Sequence, residues 1–182
     1  PGELLHSVDG GETWERVTGH GMSDFSGIAI IANYLGQGEV YVAGDTGVSR
    51  SLDGGISWEQ HSEGLPSGPV RSLDYGSGVV GIPDKEKSGF TPLYAATDEG
   101  LYVNRSGDDW EQVFSEPCEK STTEGRWIYG SQTFVITQDG SLFFGIYDYS
   151  GWDWEDCSGF WNTMEIVDVE KGGGFIILAT AE

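Results

Sequence analysis

Short segments along the chain show period-two alternation of apolar and polar residues or β-rich composition, and no stretch of useful length carries helical periodicity. Short β-rich runs bounded by Gly, Pro, Asn and Asp predict strands in four successive groups. The first group covers 27–34, 39–44 and 47–51, with an outer strand opening at Ile56. The second covers 70–75, 93–97, 101–104 and 110–114, interrupted by a Gly-, Pro- and Lys-bearing excursion over 76–92. The third reads 126–130, 133–138, 141–147 and 153–157, with Asp139-Gly140 as a hairpin turn. The fourth supplies 164–170 and 175–180, joined by the hairpin glycines Gly172-Gly-Gly174.

Each group is punctuated by a tryptophan. Trp14, Trp58, Trp110 and Trp154 are spaced by 44, 52 and 44 residues (14 to 58, 58 to 110, 110 to 154), the longer step holding the 76–92 excursion. A period of ~40–50 residues made of several short strands is the mark of a propeller blade. Two of the tryptophans close a sharper motif. Ser7-Val-Asp-Gly-Gly-Glu-Thr-Trp14 and Ser51-Leu-Asp-Gly-Gly-Ile-Ser-Trp58 both read S-x-D-G-G-x-[ST]-W, each followed by Glu. Physical chemistry assigns the parts. Asp9 and Asp53 accept hydrogen bonds from nearby backbone N–H groups, while Gly10, Gly11, Gly54 and Gly55 reach positive φ cheaply. Thr13 and Ser57 are placed to bond back into the turn, and the indole is expected to bury between sheets with a partner for its N–H. The segments 106–111 and 150–155 match each other and keep the tryptophan, but lack the Asp-Gly-Gly core, so their turns must differ.

The twice-repeated motif resembles the Asp-box, or BNR repeat, of β-propellers such as sialidases, sortilin-type receptors and xyloglucanases. The phrase from Gly64 to Ser72, with Pro92 to Tyr102, is similar to the linker and strand of sortilin-type, xyloglucanase-type and photosystem-assembly-type members. The resemblance implies one all-β domain over 1–182, built of four four-stranded antiparallel blades. It also implies that the box turns lie on the face away from the functional site, as folding staples and not as metal ligands or catalytic acids. Ala179-Thr-Ala-Glu182 echoes Ala96-Thr-Asp-Glu99, which runs into a third strand, and the first seven residues resemble that continuation. The N-terminal strands are therefore expected to complete the last blade and close a four-bladed ring, leaving no open edge. The alternative is half of an eight-bladed ring, or a fragment of a larger propeller. Monomer and dimer in solution separate the first two.

Composition narrows the partners. With 182 residues and 29 glycines the chain is ample for a core of short strands and tight turns. Thirty acids against nine bases give a formal charge of −21, which argues against nucleic acid. No apolar run approaches the ~18 residues needed for membrane insertion. The acid excess reads as a salt-adapted, halophilic surface, in preference to calcium held by carboxylate clusters; no ordered ligand spacing appears, and no other cofactor is expected. Cys118 and Cys157 are available to pair, which alone does not establish an oxidising compartment. A secreted or cell-surface setting is the expectation.

The families that share this fold do not share a chemistry, so function rests on the site. A sialidase needs three arginines on one carboxylate. Here Arg50 and Arg105 flank boxes, leaving only Arg71 and Arg126 for the central mouth. A glycoside hydrolase needs two carboxylates ~5–10 Å apart, and thirty acids do not single out a pair. His6, His20 and His61 are scattered and read as solvated or strand-edge residues, not zinc ligands. The favoured reading is a non-catalytic interaction module binding a protein or a glycan, with a glycan-active hydrolase as the alternative. Its ligand face holds the connections 20–24, 63–69, 118–126 and 159–162, opposite the boxes. Asp24, Arg71, Arg126 and Asn162 are the pore-mouth candidates, and Trp127, Phe160 and Trp161 the stacking candidates. Trp152 sits at an otherwise polar turn and is expected to be exposed.

Overall fold

The computed structural model of the chain describes residues 2–32, 38–76, 91–105, 109–126, 130–148, 151–160, 165–172 and 175–181. Strands β1 (Leu5–His6) and β2 (Glu15–Arg16) pair alone as a two-stranded sheet. Three antiparallel four-stranded sheets follow, each in simple sequential order. The first is β3 (Phe25–Ala32), β4 (Gly38–Gly44), β5 (Gly47–Ser51) and β6 (Glu59–Gln60). The second is β7 (Val70–Tyr75), β8 (Leu93–Thr97), β9 (Gly100–Asn104) and β10 (Glu111–Phe114). The third is β11 (Cys118–Arg126), β12 (Gly130–Thr137), β13 (Leu142–Asp148) and β14 (Gly151–Asp156), followed by a single 3-10 turn at Ser158–Phe160. The hairpin of β15 (Glu165–Gly172) and β16 (Phe175–Ala181) completes the order.

The sheets stack face to face, so the core lies between them as separate layers. Tyr41 and Ala29 of the first sheet pack with Leu73, Leu93 and Trp110 of the second. Tyr94 and Leu101 of the second pack with Cys118 and Val135 of the third. Phe134 and Ile136 of the third pack with Ile166 and Val169 of the hairpin. The innermost strands touch in the order β3, β7, β11, β15, which is the arrangement of neighbouring propeller blades. The outer strand of the first blade starts at Glu59 and not at Ile56, because the motif turn occupies the intervening residues and leaves Ile56 exposed.

Two sequence expectations are corrected. In the third blade the innermost strand is Cys118–Arg126, where a connection was expected, and Arg126 ends that strand instead of opening it. The segment is polar and lacks apolar alternation, yet Cys118, Ser121, Thr122 and Thr123 are buried, and backbone and hydroxyl groups among them bond across to the neighbouring strands. The Ser121 N–H donates to Ser72 Oγ at 3.2 Å, the Thr123 N–H to Asp74 Oδ2 at 2.6 Å, and the Thr123 and Thr133 hydroxyls meet at 3.1 Å. The second correction concerns ring closure. Among the described residues no ladder joins β1 to β16, and the two hairpins remain separate sheets. Leu4, beside β1, packs instead on Met22 and Val42 against the first blade, with Val17 at the margin.

Candidate functional site

The two motif turns are built alike. In the second, Ser51 Oγ donates to Asp53 Oδ1 at 2.8 Å and accepts the Gly55 N–H at 2.7 Å. Asp53 also accepts the Ser57 N–H at 2.8 Å and the Ser57 hydroxyl at 2.6 Å. The first turn repeats this with Ser7, Asp9, Gly11 and Thr13 at 2.6–2.9 Å. Gly54 and Gly55 hold φ of 74° and 96°, and Gly10 and Gly11 hold 76° and 94°, a region that side chains resist. The threonine and serine hydroxyls, then their backbone N–H groups, hold Asp9 and Asp53 down at about 2. Each carboxylate is thus committed to its own turn.

The tryptophans divide into two pairs. Trp14 and Trp58 donate to Gly11 and Gly55 of their own turns at 3.1 and 3.0 Å. Trp110 and Trp154 reach back to the preceding blade, to the carbonyls of His61 at 2.8 Å and Val113 at 2.9 Å. Trp14 is 60% exposed, against the burial expected of it. Trp152, expected at the surface, instead stacks on Trp154 at 5.0 Å and meets Tyr94 edge-on at 6.2 Å.

At the opposite ends of the sheets a second regularity appears, unmarked in the sequence. All four innermost strands carry a break in register within two residues of their start, between Phe25 and Gly27, Val70 and Ser72, Cys118 and Lys120, and Ile166 and Asp168. The extra residues are Ser26, Arg71, Glu119 and Val167. A bulge re-aims the side chain it adds, and such breaks concentrate beside functional sites. Three of these residues, with Asp24, Asp45 and Phe25, line a cavity of about 200 Å³. Arg71 is its centre. Its Nε donates to Asp98 Oδ1 at 2.6 Å, and Nη1 lies 3.6 Å from Glu119 Oε2. Gln138 of the third blade donates to the same Asp98 oxygen at 2.6 Å. Asp45 accepts the Ser23 hydroxyl at 2.9 Å and the Ser23 N–H at 3.2 Å.

Charge at this mouth is unbalanced. Asp24, Asp45 and Glu119 line it with one guanidinium, that of Arg71, which pairs with Glu119 and with Asp98 beside the cavity. The Arg71 hydrogen bond, then that of Gln138, holds the Asp98 carboxyl below its ordinary range. The Ser23 hydroxyl does the same for Asp45. Asp45 and Asp98 are thus held as anions and present acceptors to whatever enters.

Of the pore-mouth candidates, Asp24 and Arg71 come together in this cavity. Arg126 does not join them, since it stands at the far end of β11 from Glu119. Trp127, Trp161 and Asn162 lie outside the described residues. Asp45, Asp98 and Glu119 were missed, although Asp45-Thr-Gly47 and Asp98-Glu-Gly100 repeat at equivalent turns and offered a signal. Elsewhere Arg16 pairs with Glu3 at 3.2 Å, Arg50 with Glu59 at 2.6 Å, and Arg105 with Glu111 while covering the Tyr147 ring at 4.6 Å. His20 and His61 are half-buried, each with its ring packed on aromatic neighbours. The first packs on Phe25 and Trp58, and the second on Tyr41 and Trp110. Cys118 and Cys157 are both free thiols in different core layers, and burial pushes Cys118 up to about 12.

No family model and no curated protein matches the chain. Among solved structures it is similar to YCF48 bound to D1 peptide, with a TM-score of 0.61 and 18% sequence identity. The match covers 98% of this chain and 54% of that one, so the chain spans about half the length of the structure it resembles. What the likeness carries is the fold: this is an all-β chain of β-propeller blades.

Proposed function

We propose that the chain is a non-catalytic interaction module whose mouth, at the bulged ends of the innermost strands, docks a positively charged peptide segment of a protein partner. One observation carries the reading. The same register break aims Ser26, Arg71 and Glu119 into a single cavity, where carboxylates outnumber the one cation. Phe25 and Pro69 add apolar wall for the stem of a lysine or arginine. The similar structure holds a peptide, which supports a peptide ligand here. The turns at 7–14 and 51–58 serve as Asp-box staples, because both carboxylate oxygens of Asp9 and of Asp53 accept hydrogen bonds from within the turn.

Titration of the chain with unstructured peptides of equal length, bearing lysine, no charge or glutamate, tests this. The lysine peptide is expected to bind, and to weaken as salt rises. Glu119→Gln should weaken it by up to about five-fold, the reach of a half-exposed ion pair. Equal affinity for all three peptides overturns the charge reading. Release of reducing sugar from a glycan substrate overturns the non-catalytic one.

A further inference from the structure

The charges that line the mouth alternate in sign, because each blade supplies a different wall. The first blade brings Asp24 and Asp45, the second Arg71 and the third Glu119. The innermost strands β3, β7 and β11 lie side by side in that order, so the row across the cavity runs acid, base, acid. The base in the middle is only partly engaged. Asp98 accepts its Nε at 2.6 Å, and Gln138 of the third blade fixes the same Asp98 oxygen, which anchors one corner of the guanidinium. Nη1 stands 3.6 Å from Glu119, near enough for an ion pair and too far for a hydrogen bond. An arginine has five N–H donors in a fixed fork; among the described residues, Nε is the one that Arg71 uses in a hydrogen bond. Arg71 and Glu119 are both within reach of a ligand, with 37% and 54% of their side chains exposed.

We propose that Arg71 is the specificity-determining residue of the mouth, which makes it read the order of charges in a peptide and not only their sum. The inference rests on the peptide reading and narrows it. The ligand is an extended segment with basic residues at positions i and i+4 and an acidic residue at i+2. In an extended chain these three side chains share one face and repeat every ~6.5 Å. Neighbouring innermost strands match that step, approaching within 8 Å between Cα atoms. One basic side chain meets Asp24 and Asp45, the acid meets the Nη groups of Arg71, and the second base meets Glu119. A base at the centre would face the guanidinium instead, and such a like-charge juxtaposition rejects the wrong partner. Of the four residues that the bulges add, Ser26, Arg71, Glu119 and Val167, Arg71 alone is basic, so the centre of the row is set by one side chain.

Calorimetric titration with three glycine-spaced peptides of equal length and blocked termini tests it. Their charged positions read lysine–glutamate–lysine, the isomer lysine–lysine–glutamate, and lysine–lysine–lysine. A salt concentration of ~0.15 M keeps the Debye length near ~8 Å, so that distant acids contribute little. The wild type is expected to bind the alternating peptide about five-fold tighter than its isomer, and tighter than the all-lysine peptide. Arg71→Glu should invert the second preference. Arg16→Glu makes the same change in net charge outside this cavity and should leave the ranking as in the wild type. If the reversal at Arg71 does not fold, Arg71→Gln, which keeps a donor for Asp98, must still shift the ranking toward the all-lysine peptide. Affinity that follows total charge in the wild type, or a ranking that moves equally with Arg71→Glu and Arg16→Glu, overturns the role of Arg71 and leaves the peptide reading standing. Absence of binding by all three peptides to the wild type overturns both.

Discussion

Trp14, Trp58, Trp110 and Trp154 mark one position in the sequence, yet their indoles hold different things together. Trp110 is 4% exposed and donates across the blade boundary to the His61 carbonyl, so removing it opens a cavity and breaks that bond. Trp110→Ala is expected to cost ~3–5 kcal/mol in urea unfolding. Trp14 is 60% exposed and bonds only within its turn, so Trp14→Ala should cost ~1 kcal/mol or less. Equal losses would mean that the motif position, and not its burial, sets the contribution. Asp9 and Asp53 make a pH argument at the same scale. A carboxyl whose folded pKa lies below its ordinary 3.8 adds stability above that value and loses it as pH falls through the folded one. The turns therefore weaken between about pH 4 and pH 2. Asp53→Asn keeps an acceptor oxygen but not the anion, so the gap in melting temperature between wild type and variant should shrink across that window. A constant gap would show that the charge plays no part.

At the scale of strands, what could be read beforehand follows from how loudly each element is written. Val70–Tyr75 was legible from its alternation, and Gly47–Ser51 and Leu93–Thr97 from short runs bounded by turn residues. The Asp-Gly-Gly turns were legible because their chemistry is local. Cys118–Arg126 was not, since its burial depends on hydroxyl and carboxylate partners on β7 and β12 that no local pattern announces. The bulges were hidden for a related reason: an extra residue shows only once the register of both strands is known. For that reason Arg71 was placed at the mouth while its neighbours Glu119 and Asp98 were not. Close approach between blades is equally silent. A Cβ on Gly27 would lie 2.9 Å from both the Cβ and the backbone nitrogen of Leu73. Gly27→Ala should therefore push the first two blades apart, costing ~1–3 kcal/mol. Leu73→Ala should fail to rescue it in a double-mutant cycle, because the backbone clash remains; full rescue would locate the conflict in the side chains alone.

For the whole molecule the governing quantity is charge. Nine bases can neutralise at most nine of thirty acids, so repulsion outweighs the ion pairs even if every cation is engaged. The pairs at Arg16–Glu3, Arg50–Glu59 and Arg71–Asp98 are at least partly exposed and worth little each. Added salt weakens them slightly and relieves the larger repulsion, because the Debye length falls from ~10 Å at 0.1 M to ~3 Å at 1 M. The melting temperature is thus expected to climb steadily from low salt to ~1 M NaCl. Calcium offers a rival route to the same stabilisation, and the two differ in dose. Screening depends on ionic strength alone, so millimolar CaCl2 should act no better than NaCl of matched ionic strength. A jump in melting temperature at millimolar calcium, saturating where NaCl has barely begun to act, would replace the screening account with a bound cation.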